Sequence, residues 1–238
     1  MRLDKLIEKE LKTSRKEMKR LFLLGKVSVD GQIQRREARN VDSDLHQILV
    51  DGKSLATDEA YYLVNKPQGI VTANQDAQHQ TVLDLLAEAD RREKLAAVGR
   101  LDRDTEGLVF LTTNGQLAYE LLHPVKKVTK CYEATVNGRV TQEDQQAFQQ
   151  GIVFHDGTIC QPAELTILFA SDEKSTIRLA IQEGKFHQVK KMFLVRGKKV
   201  VFLKRTAIGP LRLPETLALG KYRRLTVAEL QQLTPYFR

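Results

Sequence analysis

Cysteine is scarce in this 238-residue chain. The two present, Cys131 and Cys160, lie far apart and neither belongs to a CxxC pair. That excludes a disulfide framework and leaves no thiolate metal site, so two reduced thiols in or near a core are expected. Long apolar runs are missing too: none approaches the ~20 residues a membrane-spanning helix needs. The opening MRLDKLIEKELK is charged throughout and has no secretory core, so a cytoplasmic location is expected, with no membrane partner. There are no internal repeats, low-complexity tracts or coiled-coil seams, and a monomer is the expected state.

Positive charge, by contrast, is abundant and unevenly placed. The net charge is +8 and the pI about 9.4. Residues 1–40 carry 12 Lys/Arg against 6 Asp/Glu, and residues 174–224 carry 14 against 2, while the remainder is net acidic. Two separated basic regions suit two contacts with a polyanion such as nucleic acid. The length accommodates one large domain and one small one.

The first unit reads as helix, helix and short strands. Leu3, Ile7 and Leu11 recur at helical spacing. Ser14 opens a second helix with Glu17 three residues on, a capping box, and Gly25 closes it. Val27 and Val29 alternate as in a strand, and Asp30-Gly31 and Asp51-Gly52 are hairpin-turn pairs, the latter following ILV at 48–50. Arg15, Lys16, Lys19 and Arg20 form one basic stripe on the second helix, suited to phosphates. With RLDKLI at 2–7, SRKEMKRLFLLGKVSVDG at 14–31 and ILVDG at 48–52, residues 1–52 resemble the RNA-binding domain of small-subunit ribosomal protein S-four. Residues 53–60, KSLATDEA, lack periodicity and read as a linker.

From Tyr61 the pattern changes. YYLVN reads as a strand, KPQG as a turn and IVTA as another strand; Thr81 and Asp84 begin a short helix through Leu86. LAAVG at 95–99 and LVFLTT at 108–113 read as strands, with a helix GQLAYELL after Asn114. KCYEATV at 130–136 alternates with period two, and Thr141 and Gly151 bracket a polar helix. TIRLAI at 176–181 and VVFLKR at 200–205 are strands around a helix from His187 to Arg196, which Gly197 stops. Strands and helices mix without strict alternation. The expected fold is α+β, a small helix-helix-strand unit joined to a larger domain, residues 61–238, with a mostly antiparallel sheet.

Chemistry concentrates in GRLDRDTEGLVFLTTNG, residues 99–115. A charged loop between two strands is held by a rigid sheet and can carry function. Leu101 is the only large apolar side chain before Gly107 and anchors Asp102 next to it; Asp104 lacks such a neighbour. By itself Asp102 fits a turn cap as well as an active-site acid.

That stretch resembles the central motif of the pseudouridine synthases, in the branch that contains the small-subunit enzyme RsuA. NKPQG at 65–69, KCYEATV at 130–136 and EGKFHQVKKMF at 183–193 resemble further motifs of that family, in the same order. The resemblance implies that Asp102 is the catalytic aspartate, that Tyr132 stacks on the target base, and that Lys190 pairs with Asp102 where many relatives have arginine. Arg100 and Lys191 would contact RNA. Lys66 and Pro67 read as turn-shaping residues, and His187 as a maker of structural hydrogen bonds.

The implied reaction breaks the N1–C1′ bond of a uridine, turns the uracil and joins C5 to C1′. No oxidation state changes, so no cofactor and no metal are expected. The carboxylate either attacks covalently or removes a ribose proton. Extracting a stacked base costs about a few kcal/mol, of which an aromatic face offsets roughly 1–3. The expected partner is ribosomal RNA, and Phe186-His187-Gln188, where large-subunit relatives often have Asn-Arg-Gln, favours 16S rRNA. The alternatives are a large-subunit (23S) target, or an inactive assembly factor, which Asp102, Tyr132 and Lys190 together disfavour.

Overall fold

The computed structural model describes residues 1–237. Helix α1 (Leu3–Leu11) and helix α2 (Arg15–Leu23) pack Leu3, Leu6, Ile7, Met18 and Phe22 into a small core. The expected capping box is formed: Ser14 Oγ accepts from Glu17 N, and Glu17 Oε2 accepts from Ser14 N at 2.9 Å. Strands β1 (Val27–Val29), β2 (Gln32–Ile33), β3 (Ile48–Val50) and β4 (Lys53–Ser54) form a sheet in the order β2-β1-β3-β4. Both Asp-Gly pairs have positive φ throughout, as two-residue hairpin turns require.

Strand β4 corrects the linker reading. Asp51-Gly52 turns the chain back onto β3, so Lys53 and Ser54 join the sheet, and Leu55 is buried in the N-terminal core. The remaining segment is also tied down. Ser43 and Thr57 exchange hydrogen bonds, the Met1 amino group pairs with Glu59 at 3.1 Å, and the buried Tyr61 hydroxyl donates to Asp42.

The larger sheet contains β5 (Tyr61–Lys66), β6 (Ala96–Val98), β7 (Glu106–Thr112), β8 (Lys130–Asn137), β9 (Glu164–Ala170), β10 (Lys174–Ile181), β11 (Val200–Ile208), β12 (Leu211–Arg212) and β13 (Tyr222–Arg224). Its main order is β13-β5-β7-β11-β8-β10-β9, with β12 on β11 and β6 on β7. Every pairing is antiparallel except β7 with β11. The α+β expectation holds. IVTA, expected as a strand, makes only an isolated bridge between Val71 and Thr81.

Both faces of β5 and β7 are covered, which is why they read as unbroken apolar runs. Tyr62, Val64, Val109 and Leu111 face one core, shared with Phe148 of helix α4 (Gln142–Gln150) and with Met192 and Phe193 of helix α5 (Gln188–Val195). Tyr61, Leu63, Leu108 and Phe110 face the other, under helices α3 (Gly115–Leu122) and α6 (Val227–Gln232). Strand β8 has one apolar face: Tyr132, Ala134 and Val136 point into the first core, and Cys131 and Glu133 away from it.

One discontinuity positions the site. Strand β7 meets β11 only where Glu106 and Gly107 oppose Lys204 and Arg205, and farther along the same edge it meets β6. The loop of residues 99–105 emerges where β7 changes partner. Gly107 is required there: its φ is +104°, and a Cβ would collide with the backbone N and O of Arg205.

Candidate active site

The loop of residues 99–105 is pinned from several directions. Thr72 Oγ1 donates to the Leu101 carbonyl at 2.9 Å and accepts from Leu101 N at 3.1 Å. The Leu101 side chain is buried, as its anchoring role requires. Gly69 N donates to the Arg103 carbonyl at 2.8 Å, and Arg103 Nε returns a bond to the Gly69 carbonyl at 3.2 Å.

Lys66 secures the motif beneath. It is fully buried and donates to the carbonyls of Pro67 at 2.9 Å and Ile70 at 2.8 Å. Burial lowers its pKa to about 8, against the opposing pull of Asp104 and Asp102. The turn-shaping expectation thus has a mechanism: a buried ammonium gathers carbonyls rather than a carboxylate.

Arg205, which the sequence reading did not single out, braces the opposite side. Its Nε donates to the Leu108 carbonyl at 2.8 Å, and its terminal nitrogens reach the Arg100 and Gly99 carbonyls at 3.4 Å. Burial pushes its pKa down, and Tyr132 beside it opposes that. A basic residue in a strand reads as solvated unless the facing seam is known.

Helix α5 brings the counter-charge. Val189, Met192 and Phe193 face the core, leaving Lys190 and Lys191 on another side. Gln188 fixes the entry to the helix, donating to Glu183 at 2.7 Å and accepting from Lys185 N at 2.9 Å. Lys190 Nζ lies 3.0 Å from Asp102 Oδ2 and 2.5 Å from Asp104 Oδ1. Burial pulls the Lys190 pKa down, but the hydrogen bonds and charges of Asp104 and Asp102 outweigh it and hold the ammonium above its ordinary value. Burial works to raise the Asp104 pKa, and the Lys190 ammonium overcomes it, so Asp104 titrates below its ordinary range. The two acids differ in enclosure: the Asp102 side chain is 28% exposed and that of Asp104 69%.

His187 departs from expectation. Its side chain makes no hydrogen bond among the described residues. Nε2 stands 3.6 Å from Asp102 Oδ1, and the ring stacks on Phe186 with centroids 3.8 Å apart. Its φ of 52° places it at the left-handed entry to α5.

Tyr132, almost buried, lines a small recess of about 90 Å³ together with Arg100, Asp102, Thr105 and Lys190. A cleft of about 480 Å³ shares Arg100, Asp102 and Tyr132 with that recess and adds Lys130, Phe186 and Arg205. The fold therefore brings together Asp102, Tyr132, Lys190 and Arg100. The Arg100 side chain is exposed and has no partner among the described residues. Lys191 is less free: it lies 5.4 Å from the Phe154 ring centroid, 5.5 Å from that of Phe186, and 3.9 Å from Asp156. Arg15, Lys16, Lys19 and Arg20 are exposed on α2, carry no ion pair among the described residues and do not line the cleft.

Among the described residues no cluster of three or more His, Cys, Asp or Glu is arranged to hold a metal ion. No described helix is long and apolar enough to cross a membrane.

The chain as a whole is similar to known proteins. A family model described as RNA pseudouridylate synthase matches residues 60–194. The chain is 41% identical over 234 residues to an uncharacterized RNA pseudouridine synthase, YtzG, of Bacillus subtilis, covering 98% of each. It is 38% identical over 233 residues to ribosomal small subunit pseudouridine synthase A of Escherichia coli K12, covering 97% of this chain and 98% of that one. A crystal structure of a pseudouridylate synthase superposes with a TM-score of 0.68 at 33% identity, covering 98% of this chain and 100% of that one.

Proposed function

The chain belongs to the RNA pseudouridylate synthase family, and from that premise we propose that it isomerises one uridine of 16S ribosomal RNA, with Asp102 as the catalytic carboxylate. The observation that carries this reading is the placement of the Asp102 carboxylate between the Lys190 ammonium and a recess lined by Tyr132. A carboxylate facing a closing pocket needs a counter-charge to remain an anion once water leaves. Lys190 supplies it by a single ammonium, without the two-pronged geometry of arginine.

The uridine swings out of its stack and enters beside Tyr132, whose ring offers a stacking face. Asp102 then acts by one of two routes, attack on the nucleotide or removal of a ribose proton. In either, the N1–C1′ bond breaks, the uracil turns, and C5 bonds to C1′; C5 gives up its hydrogen and N1 takes one. Arg100, at the mouth, and Lys191 engage the RNA strand. Residues 1–55, with the stripe Arg15, Lys16, Lys19 and Arg20, form an S-four-like unit that holds RNA largely through phosphate. The small-subunit target is supported by the likeness to ribosomal small subunit pseudouridine synthase A along nearly the whole chain.

Pseudouridine mapping of both ribosomal RNAs, from cells with and without the protein, tests this. One 16S position should lose its pseudouridine. A lost 23S position would move the target to the large subunit, and no change in either would favour an assembly role without catalysis.

A further inference from the structure

The recess beside Asp102 contains a polar group with no task in the free protein. Thr105 is 1% exposed and lines the recess with Asp102, Tyr132 and Lys190. Its backbone N–H donates to the Asp102 carbonyl at 3.1 Å, closing the turn that presents the carboxylate. Its hydroxyl is buried and has no hydrogen-bond partner among the described residues. A buried hydroxyl left unpaired lowers the stability of a fold, and valine would fill the same volume without that cost. Nothing in the packing explains why the position carries oxygen.

The proposed chemistry does. We infer that the Thr105 hydroxyl hydrogen-bonds the uracil of the extruded nucleotide and holds it while it turns. This rests on the function proposed above. Once N1–C1′ is broken, the base must rotate without escaping, and rotation replaces one polar edge by another. Uracil presents carbonyl oxygens on two sides with N–H groups between and beside them. A fixed donor satisfies only the oxygens and a fixed acceptor only the N–H groups. A threonine hydroxyl donates and accepts, and its hydrogen swings to suit. The Thr72 hydroxyl, in the adjoining cleft, is by contrast occupied at both ends by Leu101.

Two substitutions test the idea, with turnover read as tritium released from C5 of a [5-3H]uridine-labelled 16S rRNA transcript. Thr105→Val should lower kcat by about fivefold to tenfold, the effect of losing one hydrogen bond, while its melting temperature stays equal to or above that of the wild type. Thr105→Ser, which keeps the hydroxyl, should restore most of the turnover. Wild-type turnover in Thr105→Val would overturn the inference. So would a loss of turnover accompanied by a fall in melting temperature, because that marks a structural role. If the wild-type protein releases no tritium from 16S or 23S transcripts, the proposed function fails first. If it does and Thr105→Val matches it, only the role of Thr105 fails.

Discussion

Two regions of this molecule carry concentrated charge, and they are built in opposite ways. Around the cleft three cations are placed by specific partners: Lys190 spans Asp102 and Asp104, Lys66 gathers carbonyls, and Arg205 spans the ends of two strands. On α2 the cations stand in solvent, with no ion pair among the described residues. The cleft therefore controls position, while the helix offers only charge density. A pinned group suits a reaction in which fractions of an ångström count. A free cation suits a phosphate strand that arrives in many registers.

The comparison can be broken most sharply at Asp102. Asp102→Asn should reduce turnover at least a hundredfold, about the low end for losing an acid–base group, with RNA affinity changed by less than about threefold. Single-turnover isomerisation and filter binding measure the two; a parallel loss of both would mean that the residue holds RNA rather than reacts.

Next in size is Gly107→Ala, which forces a methyl group against the Arg205 backbone. It should cost about 3 kcal/mol or more, a drop in melting temperature of roughly 6–12 °C. Calorimetry that shows no change would mean that the β7–β11 seam tolerates a side chain.

Lys66 tests whether the pinning charge is as dry as its position indicates. Its pKa, lowered by burial to about 8 from an ordinary 10.5, means that the unfolded chain binds the proton more tightly between those values. Stability should therefore rise with pH across that window, because the cost of the buried charge is full below it and fades above. Relative to Lys66→Met, the wild type should gain about 1–3 kcal/mol between pH 7 and about pH 10. Urea unfolding at both pH values gives the difference, and a flat one would show the ammonium to be solvated.

The smallest effect is expected on α2. Replacing Lys16, Lys19 and Arg20 together by glutamine should weaken RNA binding by about tenfold and flatten the log–log salt slope by roughly 2–3, while kcat at saturating RNA is kept. An unchanged slope would remove this helix from the RNA-binding surface.

Much of this contrast was legible in the sequence, for local reasons. Capping boxes, Asp-Gly turns and the period-two alternation of KCYEATV depend on neighbours in the chain. The GRLD stretch was legible by its likeness to a family. What escaped was tertiary. Strand β4 exists only because its turn returns it to β3. Strand β9 carries little apolar contrast along ELTILFA. Helix α6 is short, although Thr226 and Glu229 form a capping box at its start. Asp104 looked unsupported until α5 brought an ammonium to it from 86 positions away. Arg205 and Thr105 show their roles only through what does or does not surround them in space.

The brief contact of β7 with β11 also bears on how the protein comes into being. Those strands join residues 106–107 to 204–205, more than half the length of the larger domain. Contacts between distant parts of a chain close late, since the entropy of the intervening loop must be overcome first. During synthesis the segment bearing Asp102 leaves the ribosome long before the strand that braces it. The growing polypeptide thus lacks the brace behind this loop until residues 204–205 have emerged.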